Sequence, residues 1–152
     1  MHRKERLPVK VLVSACLLGE NCKYNGKNNR NETLIQRLQS HEVVAICPEV
    51  LAGLGVPRPC VELRAGVAYN QYGEKVDDAF RAGVARALAQ IEGQVIDLVI
   101  LQSRSPTCGV KQIYDGSFRK QLIDGQGMLA AALLARGYRV VDVEDIDSVP
   151  EL

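Results

Sequence analysis

The chain has 152 residues, 47% hydrophobic and 24% charged, which suits one domain with a single core. Lys plus Arg total 19 against 18 Asp plus Glu, with 5% aromatic residues and no Trp, a balance that argues against a dedicated polynucleotide binder or base-stacking platform. Residues 1–8 are positively charged with no apolar run long enough for a signal peptide or membrane span, so they read as a solvated leader and the protein as cytoplasmic; five scattered cysteines then point to metal binding, chemistry or core packing rather than disulfides.

Residues 9–15 form a compact apolar run of the buried-strand type that stops at Cys16. A polar loop of turn formers follows over 19–31 and contains Cys22; Asn31 is positioned to cap a short helix through Gln39, with Leu34, Ile35 and Leu38 on one face. A second strand over 43–47 ends on Cys47. Residues 48–59 read as irregular because Gly53, Gly55, Pro57 and Pro59 interrupt them, and 61–76 predicts a small hairpin turning at Tyr72-Gly73. Residues 77–92 give the clearest helix, with Phe80, Val84, Leu88 and Ile91 on one stripe and Gly93 behind it. A third strand covers 97–102, with Cys108 just beyond. A helix over 127–136 closes at Gly137, a fourth strand runs over 139–143, and the acidic segment 144–152 reads as a solvated tail.

Strands separated by helices predict one α/β domain over 1–152: three layers, a mainly parallel Rossmann-like sheet, and the site at the carboxyl edge of the strands. Cys16, Cys47 and Cys108 all emerge at that edge. Structural zinc sites use closely spaced Cys or His pairs; these three are far apart in sequence, and neither His2 nor His41 is placed to complete a zinc site. Three soft thiolates on a rigid edge suit an iron–sulfur cluster, and three ligands instead of four would leave one iron open as a Lewis acid. Cys22 is the alternative fourth ligand. Glu49 beside Cys47 would have its pKa raised by drying and by neighbouring thiolates, which suits proton transfer, while Ser103 and Ser105 bring hydroxyls next to Cys108. Each residue also has a plain structural use: small hydrophobes at strand ends, an acid at a helix start, a Ser before a Pro turn.

The motifs Val13-Ser14-Ala15-Cys16-Leu17-Leu18-Gly19, Cys22-Lys23-Tyr24-Asn25-Gly26, Cys47-Pro48-Glu49-Val50, Pro57-Arg58-Pro59 with Glu62, Ser103-Arg104-Ser105-Pro106-Thr107-Cys108-Gly109 and Tyr114-Asp115-Gly116-Ser117-Phe118 run in order across nearly the whole chain. As a set they resemble the thiouracil desulfidases, a family long catalogued as a domain of unknown function. Asn25 stands where that family often has Asp, and Cys60 interrupts a Pro-Arg-Pro-Pro stretch, which makes Cys60 a poor ligand candidate.

The resemblance implies a [4Fe-4S] cluster held by Cys16, Cys47 and Cys108 with the fourth iron free of protein, and catalytic roles for Glu49 and Ser105. The expected reaction removes sulfur from a thiolated pyrimidine (4-thiouracil or its nucleoside or nucleotide), releasing hydrosulfide and leaving a carbonyl. Glu49 would activate water, and Ser105 would orient water or substrate, with Ser103 as its substitute. Lys23, Arg58 and Arg104 would hold a phosphate if the substrate carries one. The expected partner is a small molecule, without membrane or long nucleic acid. The alternatives are a non-catalytic iron–sulfur electron carrier and a tRNA-thiouridine desulfurating subunit that needs a partner chain.

Overall fold

The structure, a computed structural model, describes residues 7–152. Of the expected leader, the first six residues lie outside the described part, while Leu7 and Pro8 are exposed. The elements in chain order are β1 (Lys10–Ser14), α1 (Glu32–Arg37), β2 (Glu42–Ile46), α2 (Pro48–Leu51), β3 (Val61–Arg64), β4 (Val67–Asn70), α3 (Asp77–Ile91), β5 (Leu98–Leu101), β6 (Gln112–Tyr114), β7 (Leu122–Asp124), α4 (Met128–Ala135) and β8 (Val140–Asp142). Short 3-10 turns, Ala15–Leu18 and Val143–Ser148, follow β1 and β8. Among the described residues, no helix is long and apolar enough to cross a membrane.

The central sheet has the order β2-β1-β5-β8, and every pairing in it is parallel. Parallel sheets are covered on both faces, which is why β1 and β5 are near-continuous apolar runs without alternation. Val11, Val13, Leu98 and Ile100 pack on one side with Leu34 and Leu38 from the α1 region and with Val143, Ile146 and Val149. Leu12, Ile46, Val99 and Leu101 pack on the other with Val84, Leu88 and Ile91 of α3 and Leu129 and Leu133 of α4. The three-layer α/β expectation is met. The Rossmann-like expectation reaches as far as a four-strand parallel sheet with β2 at its edge among the described residues.

Three local readings need correction, and one short hairpin has no counterpart in the sequence pattern. The stretch after Cys47 is not wholly irregular: Pro48 opens α2 at its first turn, where its missing N–H and fixed φ favour a helix start. The β3–β4 hairpin turns at Ala65-Gly66, both in the left-handed region, and Tyr72-Gly73 makes a second turn closed by a Tyr69–Lys75 bridge. The antiparallel β6–β7 pair has only three residues per strand, too few for periodicity to register. The acidic tail is docked rather than solvated: Val143, Ile146 and Val149 are buried at a spacing of three, the period of the 3-10 turn, with the acids on the other faces.

One close approach fixes the position of α2. A Cβ on Gly83 of α3 would lie 2.2 Å from the Pro48 carbonyl oxygen and 2.8 Å from Ala52 Cβ. Glycine lets α3 lie directly against the helix that carries Glu49.

Candidate active site

The carboxyl ends of β1, β2 and β5 open into a cavity of about 640 Å³. The strand order reverses between β1 and β5, so this is the switch-point crevice where open α/β sheets take ligands. The cavity is lined by Cys16, Cys47, Cys108, Glu49, Ser103, Ser105, Lys23, Arg58 and Arg104. Every residue singled out from the sequence for this site therefore reaches one space, joined by Cys22, Cys60, Glu62, Thr107 and Phe118.

Cys16 lies in the turn that begins as β1 ends, Cys47 caps α2, and Cys108 lies in the loop after β5. Cys22, read as part of a mobile-looking polar loop, is buried. Its thiol lies beside those of Cys16 and Cys47, and Asn29 Nδ2 donates to the Cys16 sulfur at 3.7 Å. The Cys22 carbonyl is in turn held by Arg58 Nη2 at 2.9 Å and contacted by Cys47 Sγ at 3.8 Å.

These contacts separate the thiols electrostatically. The neighbouring Cys22 thiol pulls the Cys16 thiol below its ordinary range, and the same neighbourhood pushes Cys22 up to about 11. The contact with Cys22, then burial, pushes Cys47 upward. Burial raises Cys108 to about 12, opposed by hydrogen bonds with Ser14 and Thr107. A soft metal group bound here must displace these protons, so its uptake becomes more favourable as pH rises. Among the described residues, no three His, Cys, Asp or Glu side chains converge as a single-ion site. Cluster ligands each take a separate iron and need not converge.

Glu49 is gripped from two sides. Arg58, whose side chain is 3% exposed, donates to Oε1 from Nε at 3.4 Å and from Nη2 at 3.3 Å. Thr107 Oγ1 donates to Oε2 at 3.1 Å. Two further Arg58 donors go to the carbonyls of Gly55 and Cys22, so four of its five N–H groups are engaged within the protein. Arg58 is a buried partner of the carboxylate, and the full desolvation cost of either charge appears only if the other is removed.

Ser105 Oγ accepts the backbone N–H groups of Thr107 and Cys108 at 3.1 and 3.0 Å and lies 3.1 Å from Thr107 Oγ1. Thr107 Oγ1 has two acceptors in reach, Glu49 Oε2 at 3.1 Å and Cys108 Sγ at 3.7 Å; with its proton on the nearer carboxylate, the Ser105 hydroxyl donates to Thr107. Ser105, Thr107 and Glu49 thus form one directed chain. Thr107, 1% exposed, was overlooked because a Thr between a Pro and a Cys reads as turn filler. Ser103 has a different use: its hydroxyl donates to Asp142 at 2.6 Å and ties the β5 loop to β8. Lys23 and Arg104 line the cavity without side-chain hydrogen bonds to the described protein.

The loop that carries these hydroxyls is welded to α4. Met128 N–H donates to the Pro106 carbonyl, and Leu129 and Ala130 N–H to that of Thr107, at 2.9 to 3.1 Å. A Cβ on Gly127 would lie 2.4 Å from the Thr107 carbonyl carbon, so the contact admits only glycine. Elsewhere in the lining, Phe118 and Lys120 have φ of 58° and 59°, and Arg104, next to Ser105, has 64°. Left-handed backbone costs a residue with a Cβ about 1–2 kcal/mol, and three such residues line this cavity.

Comparisons with known proteins give one fold and one family. The uncharacterised protein YbbK of Bacillus subtilis (strain 168) is 33% identical over 149 residues, covering 91% of this chain and 99% of its own. The solved structure of TudS, a [4Fe-4S]-dependent thiouracil desulfidase, superposes with a TM-score of 0.84 at 31% identity, over 93% of this chain and 95% of that one. The family described as 2-thiouracil desulfurase matches residues 11–145. With that match spanning the sheet and all the cavity residues named above, the chain belongs to the 2-thiouracil desulfurase family.

Proposed function

We propose that this protein is an iron–sulfur-dependent desulfidase that converts the thiocarbonyl of a thiolated pyrimidine to a carbonyl. The observation that carries the reading is the shared cavity: Cys16, Cys47 and Cys108 face the same space as an ion-paired carboxylate, Glu49. The donor set fits a cluster. It is soft, it comes from three separate rigid elements, and it borders a cavity of about 640 Å³, large enough for the inorganic group and a pyrimidine ring together. Cys16, Cys47 and Cys108 would hold a [4Fe-4S] cluster, which when bound supplies a soft Lewis acid for the thiocarbonyl sulfur.

The protein's own groups supply water activation and proton transfer. Glu49 takes a proton from water as the water oxygen adds to the ring carbon. Glu49 returns that proton to the sulfur, and the C–S bond breaks as the new hydroxyl releases its proton, so sulfur leaves as hydrosulfide and the carbonyl forms. Thiocarbonyl plus water becomes carbonyl plus hydrogen sulfide, with no net oxidation or reduction. Arg58 keeps the carboxylate aimed, and Ser105 acts through Thr107, whose hydroxyl holds the other carboxylate oxygen. The reading is tested by anaerobic loading with iron and sulfide, followed by assay on 2-thiouracil, 4-thiouracil, 4-thiouridine and its monophosphate. One hydrosulfide per pyrimidine converted is expected for at least one of them. Protein loaded with about four irons that releases none from any would refute it.

Thr107 joins the two proposed catalytic side chains. Thr107→Val is expected to lower kcat by about 10- to 100-fold, the loss of a hydrogen bond to a charged group, with KM and iron content little changed. Thr107→Ser should restore most of the rate. Steady-state kinetics with iron quantification reads both variants.

Burial of Cys22 among the other thiols supports one competing reading, a cluster closed by four cysteines that only carries electrons. Reversible one-electron reduction without hydrosulfide release would favour that carrier.

A further inference from the structure

Glu62 is a buried carboxylate that the chemistry above does not use. It projects from β3, is 7% exposed, and its Oε1 accepts the backbone N–H groups of Gly116 and Phe118 at 3.1 and 3.0 Å. The loop it holds lies hard against β3, since a Cβ on Gly116 would fall 2.6 Å from Arg64 Cβ and 2.8 Å from the Leu63 carbonyl. Asp115 tightens the same loop by accepting from Ser117 N and Oγ at 2.9 and 2.6 Å. What this anchoring enforces is the left-handed backbone at Phe118, a conformation Phe does not choose on its own.

Phe118 is also the informative side chain of that loop. The chain has two Phe residues, and Phe80 is buried in the core. Phe118 borders the thiol-lined cavity and, together with Gln71, a second cavity beside it. Tyr24 and Tyr114 line the same cavity, but of the three aromatic residues only Phe118 has a left-handed backbone held by a buried carboxylate and a ring without a polar atom; a pyrimidine ring has two flat apolar faces that gain from such contact.

From the double hydrogen bond of Glu62 and the forced backbone at Phe118, we infer that Phe118 stacks on the face of the substrate ring and that Glu62 is its positioning residue. The inference rests on the desulfidase reading and names how that site recognises a ring. Backbone strain kept at a cavity wall by a dedicated buried carboxylate has a purpose when the side chain must stand at one angle to a ligand.

The test uses the cluster-loaded protein and two readouts. In kinetics with 4-thiouracil, or whichever thiolated pyrimidine is turned over, Phe118→Ala should raise KM by about 5- to 100-fold with kcat within about threefold, as expected for one base–aromatic stack. Glu62→Leu should raise KM in the same direction and speed amide hydrogen exchange over residues 115–120, whereas Glu62→Gln, which keeps an acceptor oxygen, should restore both. Binding is read without turnover in Phe118→Trp, whose single Trp in a Trp-free chain should be quenched by added uracil. An unchanged KM in Phe118→Ala, or an unquenched Trp in a protein that binds uracil by calorimetry, overturns the stacking while leaving the desulfidase reading intact. Absence of turnover in the loaded wild type, with uracil still quenching the Trp, overturns the desulfidase reading while leaving a ring-binding pocket.

Discussion

Cys108→Ser, and equally Cys16→Ser or Cys47→Ser, is expected to give folded protein that retains no intact cluster and no desulfidase activity. Serine is close to cysteine in size, and the neighbours of Cys108 tolerate it: Thr107 Oγ1 at 3.7 Å and Ser14 are hydroxyls that can pair with another hydroxyl. Folding therefore survives. Metal binding does not, because a neutral hydroxyl is a hard, weak ligand where iron–sulfur chemistry selects thiolate. Cys22→Ser is the decisive companion. It is expected to keep about four irons per chain after anaerobic reconstitution and to keep turning over substrate. Iron and acid-labile sulfide analysis with the visible spectrum reads all four variants. If Cys22→Ser empties the site as completely as Cys108→Ser does, the iron proposed to be open is closed by a fourth thiolate and the Lewis-acid role falls.

Glu49→Gln should lower kcat by about 10²- to 10⁴-fold, the range lost with a general base, while iron content and KM stay near wild type. The geometry makes this a clean substitution. The Gln carbonyl oxygen can take over the Arg58 contacts, and the Thr107 hydroxyl can rotate to accept from the new amide. What disappears is the ability to take a proton from water. Hydrosulfide release at the wild-type rate would remove Glu49 from the reaction. Glu49→Ala is a poorer probe, because it strands the Arg58 guanidinium, buried and unpaired, and adds a stability loss to the catalytic one.

Which parts of this site were legible in the sequence follows from how each part is encoded. The four sheet strands, α1, α3 and α4 are written in apolar periodicity and capping, and Asn31 does cap α1 through the Leu34 N–H at 2.9 Å. The convergence of Cys16, Cys47 and Cys108 follows from parallel topology alone, since each lies at or just beyond the carboxyl end of a strand. Partnerships between distant positions are not written in periodicity. Arg58 is one of several cations in the chain, and only the fold brings it within 3.3 Å of Glu49. Cys22 sits in a loop composed almost entirely of turn formers, which conceals that Arg58 pulls its carbonyl inward. The docked tail was concealed by its charge: acids outnumber apolar residues there, but the apolar ones recur every third position.

The weld between α4 and the loop after β5 has a consequence for how this pocket can change. The amides that open α4 are satisfied by the carbonyls of Pro106 and Thr107, so shifting Ser105, Thr107 or Cys108 would leave a helix start uncapped. The chemical half of the pocket is therefore a fixed frame whose geometry cannot drift without unravelling a core helix. No such debt binds Lys23 or Arg104, whose side chains reach into the same space unbonded. Divergence in substrate choice among relatives should accumulate at those two positions, and the frame should pass unchanged from one specificity to the next.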